Sequence, residues 1–274
     1  MQDKFNLLSN KTYVDPEESI EYPPVALSYG EYKIRDNYYP IPIGTYGNFS
    51  FIQAAPKSKK TFLVSMLCSV YLADQTKLTG KIKGHRRNKR LVHFDTEQGR
   101  FHAQKVFRRV LDISNHNSEM YDTYALRVLS SKERVEFIEL YLERYGSELG
   151  MMIIDGVADL VLDVNDIKES SDIVQKILRW SEYYNIHIIC VIHTNFNSNK
   201  ATGHLGSHLE KKTETQIQLN VSEENENIVK VTCKRSRSFA FEEFNFEVSK
   251  DGIPVVLDKV DNILRLNNGT KFKF

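Results

Sequence analysis

The stretch that decides the fold runs from Phe49 to Ala73, FSFIQAAPKSKKTFLVSMLCSVYLA. Its first residues, 49–52, are typical of a buried strand, and the run from Thr61 onward has the apolar character of a core helix. Between them lies a short polar loop that contains three lysines. A strand, a basic loop and a helix in this order predict a phosphate-binding loop, because the unpaired N–H groups at a helix N-terminus point at anions.

Short apolar runs and helical stretches continue to alternate after this segment. This alternation is typical of an α/β protein with a mostly parallel, twisted sheet flanked by helices. Ser130 and Glu133 form a capping-box pattern that predicts the start of one helix. The predicted strands are 49–52, 91–94, 126–129, 151–155 and 186–192, and the predicted helices begin near residues 61, 100, 130 and 171, with a short helix after a polar loop at 194–206. Segments 215–220, 228–233 and 244–248 predict C-terminal β-hairpins.

The first 45 residues differ in character from the rest of the chain. Five prolines with tyrosines between them discourage regular elements, so residues 1–45 are predicted to be an N-terminal arm on a core formed by residues 46–274. The chain has no apolar run of about 18 residues, and its three cysteines are far apart and odd in number. We therefore expect a cytoplasmic protein with reduced thiols and no membrane association. Its 37 basic and 36 acidic residues give no compositional case for nucleic acid, so any such surface must be local.

The basic loop departs from the usual phosphate-loop form, G-x-x-x-x-G-K-[ST]. Ala54 stands at the first glycine position and Lys59 at the second. Lys60 would reach the β- and γ-phosphates, and the Thr61 hydroxyl would bind Mg²⁺. A basic surface loop before a core helix is the alternative interpretation. The predicted nucleotide-binding residues are Ala55, Pro56, Lys57, Ser58, Lys59, Lys60, Thr61 and Phe62.

A second motif lies about 95 residues further on. Four apolar residues, 151–154, end in Asp155, which is the Walker B pattern of a carboxylate leaving a buried strand to hold a metal ion. An aspartate is also an ordinary turn residue. The lysine loop and Asp155 together favour a site for ATP and Mg²⁺.

Four short motifs now resemble one superfamily: P-K-S-K-K-T at 56–61, D-T-E at 95–97, I-I-D-G at 153–156 and H-T-N at 193–195. They are similar to the motifs of the RecA/DnaB-type ATPases, most of all to the RepA-like hexameric plasmid-replication ATPases and related ATPases of bacterial mobile elements. The likeness covers about residues 46–250. It implies a RecA-like fold, ATP and Mg²⁺ as cofactors, and a role in the replication or mobilisation of a mobile element.

The resemblance also implies roles for individual residues. Glu97 would be the general base that polarises the attacking water, and His193 would be a polar sensor of the γ-phosphate. Arg235 or Arg237 would be a finger inserted into a neighbouring subunit, which implies a homo-oligomer such as a hexameric ring. Each role has a structural alternative. Glu97 can be a solvated carboxylate, His193 a histidine at a strand end, and the two arginines exposed charges on a hairpin.

Two segments are candidates for DNA contact. By resemblance, the loop that contains Asn197, Asn199 and Lys200 corresponds to a central-channel loop that holds single-stranded or origin DNA. An ordinary crossover loop is the alternative. The basic run from Lys81 to Arg90 is interpreted as a solvated loop, because no aromatic residue is interleaved for base stacking.

Two functional hypotheses remain open at this point. In the first, the chain is an ATPase that hydrolyses ATP and acts on DNA as a helicase-like motor or a loader. In the second, because both glycines are missing, the chain is an accessory protein that binds nucleotide and DNA but hydrolyses little or no ATP. A kinase-like phosphotransferase is disfavoured, because the sequence shows no lid-like arginine cluster.

Overall fold

The structure is a computed structural model that describes residues 2–73, 81–117, 119–195, 198 and 200–257. Its helices are α1 (Gln2–Thr12), α2 (Lys60–Ala73), α3 (Arg100–Ser114), α4 (Ser131–Tyr145), α5 (Ile167–Tyr184) and α6 (Gly203–Lys212), with a 3₁₀ helix at Val157–Leu160. Its strands are β1 (Val25–Ile34), β2 (Asn37–Thr45), β3 (Phe49–Ala54), β4 (Ile82–Gly84), β5 (Arg90–Asp95), β6 (Tyr121–Ala125), β7 (Leu149–Asp155), β8 (His187–His193), β9 (Thr215–Val221), β10 (Ile228–Ser236), β11 (Phe244–Val248) and β12 (Pro254–Leu257). No helix among these residues is long and apolar enough to cross a membrane.

The main sheet of the described residues has nine strands in the order β12-β11-β10-β9-β3-β8-β7-β5-β6. Strands β9, β3, β8, β7, β5 and β6 run parallel, and β10 to β12 extend the sheet as antiparallel hairpins. One apolar core joins the sheet to α2 and the other joins it to α4, α5 and α6. The predicted α/β fold with C-terminal hairpins is therefore confirmed.

Local sequence signals explain several of these boundaries. The predicted capping box at α4 is present, with the Glu133 N–H donating to Ser130 Oγ and the Glu133 carboxylate accepting from the Ser130 N–H at 2.8 Å. Helix α2 is buried on nearly all sides because it lies between the main sheet and strands β1 and β4. The three cysteines are free thiols, with Cys68 and Cys190 buried and Cys233 half-buried.

One predicted strand is wrong. Residues 126–129 form a turn closed by the Leu129 N–H to Leu126 carbonyl bond at 2.9 Å, and the edge strand β6 is Tyr121–Ala125. The true strand is polar because it lies at the edge of the sheet and pairs with β5 on one side. Its Asp122 carboxylate accepts two hydrogen bonds from the Arg90 guanidinium. Apolar character alone therefore predicts a strand at the turn and misses the half-exposed edge strand before it.

The prediction that residues 1–45 avoid regular elements is also wrong. Strands β1, β2 and β4 form a three-stranded sheet in the order β2-β1-β4. Pro40 and Pro42 lie in β2, which is an edge of that sheet, where a missing N–H costs no ladder bond. Part of the basic run forms strand β4 (Ile82–Gly84), so its interpretation as a solvated loop fails there.

A buried carboxylate joins the small sheet to the main sheet. Glu214, directly before β9, accepts hydrogen bonds from the Thr45 N–H and the Thr45 hydroxyl, both at 2.8 Å. On the same side, Ser50 Oγ donates to the Ile43 carbonyl at 2.9 Å. Residues 43–45 are thus tied to the core by side-chain bonds as well as by apolar packing.

We predict that Glu214→Ala destabilises the chain by about 2 kcal/mol, because two buried donors of Thr45 lose their acceptor. Denaturant unfolding measures the change. The matched control is Glu223→Ala, which removes an exposed glutamate beyond the end of β9 and is expected to change stability by less than about 0.5 kcal/mol. Equal stability of the two variants would show that this carboxylate does not hold the sheets together.

Candidate nucleotide site

The basic loop leaves β3 at the carboxyl edge of the sheet, and α2 begins directly at Lys60. Lys57 and Lys59 both have φ of 62°, in the left-handed region that favours glycine. For a residue with a β-carbon this conformation costs about 1–2 kcal/mol. The chain thus keeps a glycine-like backbone at Lys59, the second glycine position, without having the glycine.

The Lys59 side chain is held outside the loop. Its Nζ donates to Asn227 Oδ1 at 3.0 Å, in the turn between β9 and β10. Ala55, Pro56 and Lys57 are exposed, whereas Ser58 is buried and its hydroxyl donates to the Ala55 carbonyl. The long side chain at the glycine position is therefore accommodated by a contact with a neighbouring turn.

Lys60 points into the site. Its buried Nζ donates to the Ala55 carbonyl at 3.1 Å and lies 3.0 Å from His193 Nδ1. Burial lowers the pKa of Lys60, while the carboxylates of Glu97 and Asp155 act in the opposite direction. The two residues beyond it, Thr61 and Phe62, are half-buried in the first turn of α2.

Asp155 is buried at the end of β7, and β8 separates that strand from β3. The intervening strand, β8, contributes His193 to the site. Burial, together with the charges of Asp95 and Glu97, raises the pKa of Asp155 to about 8, with Lys60 opposing the shift. Asp155 Oδ2 is buried and has no hydrogen-bond partner among the described residues.

These features fit a magnesium ion. Mg²⁺ takes few protein ligands and completes its shell with water and phosphate oxygens. The described residues contain no cluster of three or more His, Cys, Asp or Glu side chains suited to a metal. An unpaired buried carboxylate oxygen of Asp155 and the hydroxyl of Thr61 are the two groups that such an ion would use.

His193 connects Lys60 to Glu97. Its Nε2 lies 3.3 Å from Glu97 Oε1, so an imidazole protonated on Nε2 accepts from Lys60 and donates to Glu97. The hydrogen bond from His193 lowers the pKa of Glu97, and the charge of Lys60 adds to this effect. Three of the predicted catalytic residues therefore meet at one place.

The turn after β5 positions Glu97. Asp95 is buried, and its Oδ1 accepts from the N–H groups of Glu97 and Gln98 at 3.1 and 2.8 Å. Thr96 Oγ1 accepts from the Gly156 N–H at 2.8 Å and so ties the end of β5 to the end of β7. Sequence analysis assigned no role to Asp95 or Thr96, although both belong to the D-T-E motif.

Gly156 permits the close approach of Glu97. A β-carbon at this position would lie 2.5 Å from Glu97 Oε1, closer than any real contact. The glycine that follows Asp155 thus leaves room for the Glu97 carboxylate in this position.

The structure does not bring the predicted finger residues to this site in the same chain. Arg235 pairs with Gln216, which pairs with Phe51, so it lies toward the edge where β3 begins, whereas Lys60 follows the end of β3. Arg237 Nη2 donates to the Lys212 carbonyl at 2.7 Å, and Arg235 is exposed.

Of the predicted DNA-contacting residues, Asn197 and Asn199 lie outside the described residues. Lys200 is exposed, and its carbonyl accepts from the Asn195 N–H at 2.9 Å. Thr194 and Ala201 form a bridge at the base of this loop. The role of the loop in DNA binding stays a prediction.

No protein-family model matches the chain, and no curated protein matches it. Among solved structures, the crystal structure of the RadB recombinase is similar, with a TM-score of 0.53 and 14% sequence identity, covering 78% of this chain and 92% of that chain. At this identity the likeness establishes the fold alone, and the narrower resemblance to hexameric plasmid-replication ATPases stays a prediction. The chain has a RecA-like α/β fold.

Proposed function

We propose that this chain is an ATPase that binds ATP with Mg²⁺ at the carboxyl edge of its sheet, hydrolyses it and acts on DNA. The observation that carries the proposal is the contact of Lys60 with His193 and, through it, with Glu97, beside the unpaired carboxylate oxygen of Asp155. The RecA-like fold and the likeness to a recombinase support the action on DNA. The role in replication or mobilisation of a mobile element rests on the motif resemblance alone.

Binding would depend on Lys60 and the loop amides. The Lys60 ammonium group contacts the Ala55 carbonyl and His193. Phosphate oxygens would replace these weaker partners, while N–H groups at the start of α2 face the anion. Thr61 and Asp155 would hold Mg²⁺, which neutralises charge on the phosphates when bound.

Hydrolysis would depend on Glu97. Its lowered pKa keeps the carboxylate ionised at neutral pH, as a group that orients and accepts a proton from water must be. His193 holds the Glu97 carboxylate on one side and Lys60 on the other, so a γ-phosphate that draws Lys60 away would change the hydrogen bonding of Glu97. We therefore propose that His193 is the sensor of the γ-phosphate.

A residue contributed by a neighbouring subunit would complete the site. The Arg237 side chain already donates to a carbonyl of its own chain, whereas the guanidinium of the exposed Arg235 has no hydrogen bond or ion pair among the described residues. We therefore assign the finger to Arg235, which implies that the active form is a homo-oligomer.

The second hypothesis, nucleotide binding without hydrolysis, has its own supporting observation. Lys57 and Lys59 adopt left-handed conformations that glycine would adopt at no cost, so the loop amides can be less free to follow the phosphates through the reaction. Wild-type chain that binds ATP but releases no phosphate over long incubation, with and without single-stranded DNA, would favour this hypothesis.

Lys60→Met is expected to weaken ATP binding roughly ten- to hundredfold, because a charge-assisted contact to phosphate is lost. Isothermal titration calorimetry with ATP and Mg²⁺ measures the affinity. Lys132→Met, an exposed lysine of α4, serves as the control and should bind like wild type. Unchanged affinity in Lys60→Met would remove the loop from the nucleotide site.

Glu97→Gln is expected to retain ATP binding but to lower kcat by about 10²- to 10⁴-fold, since the amide cannot accept a proton. Steady-state phosphate release, with and without single-stranded DNA, measures the rate. Glu136→Gln is the matched change at an exposed glutamate of α4 and should be active. Equal rates for Glu97→Gln and wild type would exclude Glu97 as the base.

Subunit mixing tests the assignment of Arg235. Arg235→Ala and Glu97→Gln should each be nearly inactive alone, but mixing them should restore part of the activity. In mixed oligomers an intact Glu97 site can receive Arg235 from its neighbour. Arg237→Ala should retain activity, in line with its structural contact. Full activity of Arg235→Ala alone, or no recovery on mixing, would contradict a finger in trans.

A further inference from the structure

The outer part of the β1–β2 hairpin, residues 31–40, is rich in exposed aromatic side chains; we call it the aromatic hairpin. Across it, Tyr32 pairs with Tyr39 and Lys33 pairs with Tyr38. Tyr38 is 66% exposed and Tyr39 is 41% exposed. The hairpin therefore presents aromatic rings to solvent.

A residue remote in sequence joins this group. Phe239, which follows β10, packs against Tyr32 with ring centroids 4.3 Å apart, and Tyr32 stacks on Tyr39 at 5.7 Å. Phe239 is itself 53% exposed. Three rings thus form a row on one side of the hairpin, with two of them open to solvent.

The fold also places part of the basic run beside β1, the strand that carries Tyr32. Strand β4 pairs with β1 so that Lys83 lies opposite Ser28, and Lys81 Nζ lies 5.9 Å from the centre of the Tyr29 ring. Tyr29 is buried, so this contact holds Lys81 near the base of the hairpin and adds no ring to the exposed row.

The charge of this surface is positive but small. Lys83 is paired with Glu31 at 2.7 Å, and Lys81 lies 3.7 Å from Glu242. Lys33 lies 5.6 Å from the centre of the Tyr38 ring. Four basic residues face three acidic ones, namely Lys33, Arg35, Lys81 and Lys83 against Glu31, Asp36 and Glu242.

Exposed rings with a weakly basic surround fit unpaired nucleobases. Every base has a face that stacks on an aromatic ring, and each such contact contributes about 1–3 kcal/mol, whereas the bases of a duplex are already stacked. Phosphate contacts supply the remaining attraction and make it depend on salt. Because the four basic and three acidic residues of this surface sum to a charge of +1, stacking should dominate the binding here and its salt dependence should be modest.

We propose that the aromatic hairpin, together with Phe239, is a binding site for the bases of single-stranded DNA. This site shares no residue with the loop at 195–200. It extends the proposed action on DNA, on which it rests, but it requires no nucleotide. Its failure and that of the ATP site can therefore be observed separately.

The test uses full-length chain without nucleotide and a fluorescently labelled oligothymidine of roughly 20 nucleotides, longer than most single-stranded binding sites. Fluorescence anisotropy should give a dissociation constant at least about tenfold higher for the double variant Tyr39→Ala/Phe239→Ala than for wild type, from the loss of two stacking faces. Tyr183→Ala, which removes an exposed tyrosine on α5, is the control and should bind like wild type.

An abasic oligonucleotide of the same length separates stacking from phosphate contact. Wild type and the double variant should bind it equally weakly. Unchanged binding of oligothymidine by the double variant would overturn the proposal, as would an equal loss of affinity for the abasic strand. A change in oligomeric mass by light scattering with unaltered DNA affinity would instead identify a protein interface and also overturn it. ATP titration of the same variant should match wild type.

Discussion

Buried charge at the carboxyl edge of the parallel sheet is the constraint on which the rest of this structure depends. Asp95 and Asp155 are buried and paired across adjacent strands, and the more exposed Glu97 lies two residues beyond Asp95, so three carboxyl groups accumulate at this edge. Burial and the neighbouring carboxylates raise the pKa values of Asp95 and Asp155, whereas the hydrogen bond from His193 lowers the pKa of Glu97. Lys60 is the cation that offsets this charge, and a bound metal ion would offset more of it.

The glycine-free loop shows how that constraint overrides local preference. Lysine at a left-handed position is costly for the backbone, yet Lys59 and Lys57 are both held there. The contact of Lys59 with Asn227 and the helical start at Lys60 fix the end of the loop that leads into α2. Tertiary contacts can therefore hold the loop in the backbone conformation that glycine favours, even though no glycine is present.

The small sheet of β1, β2 and β4 packs against the core on one side and carries an exposed hairpin on the other. Toward the inside, β1 and β4 cover α2, and Glu214 ties Thr45 to the start of β9. Toward the outside, its hairpin carries aromatic rings beyond the core. The nucleotide site and this hairpin lie on different elements, so that a DNA strand and a nucleotide would not compete for the same residues.

The sequence alone determined the order of the central elements and most of the site. The runs around β3, β5, β7 and β8 are strongly apolar, and parallel strands carry their polar residues to one edge, so the meeting of Lys60, Glu97, Asp155 and His193 followed from short motifs. Only the tertiary structure decided that β8 lies between β3 and β7, that β2 accepts prolines because it is an edge strand, and that Phe239 reaches Tyr32. These features depend on which strands become neighbours, and pairing between residues far apart in the chain leaves no local pattern for a single sequence to show.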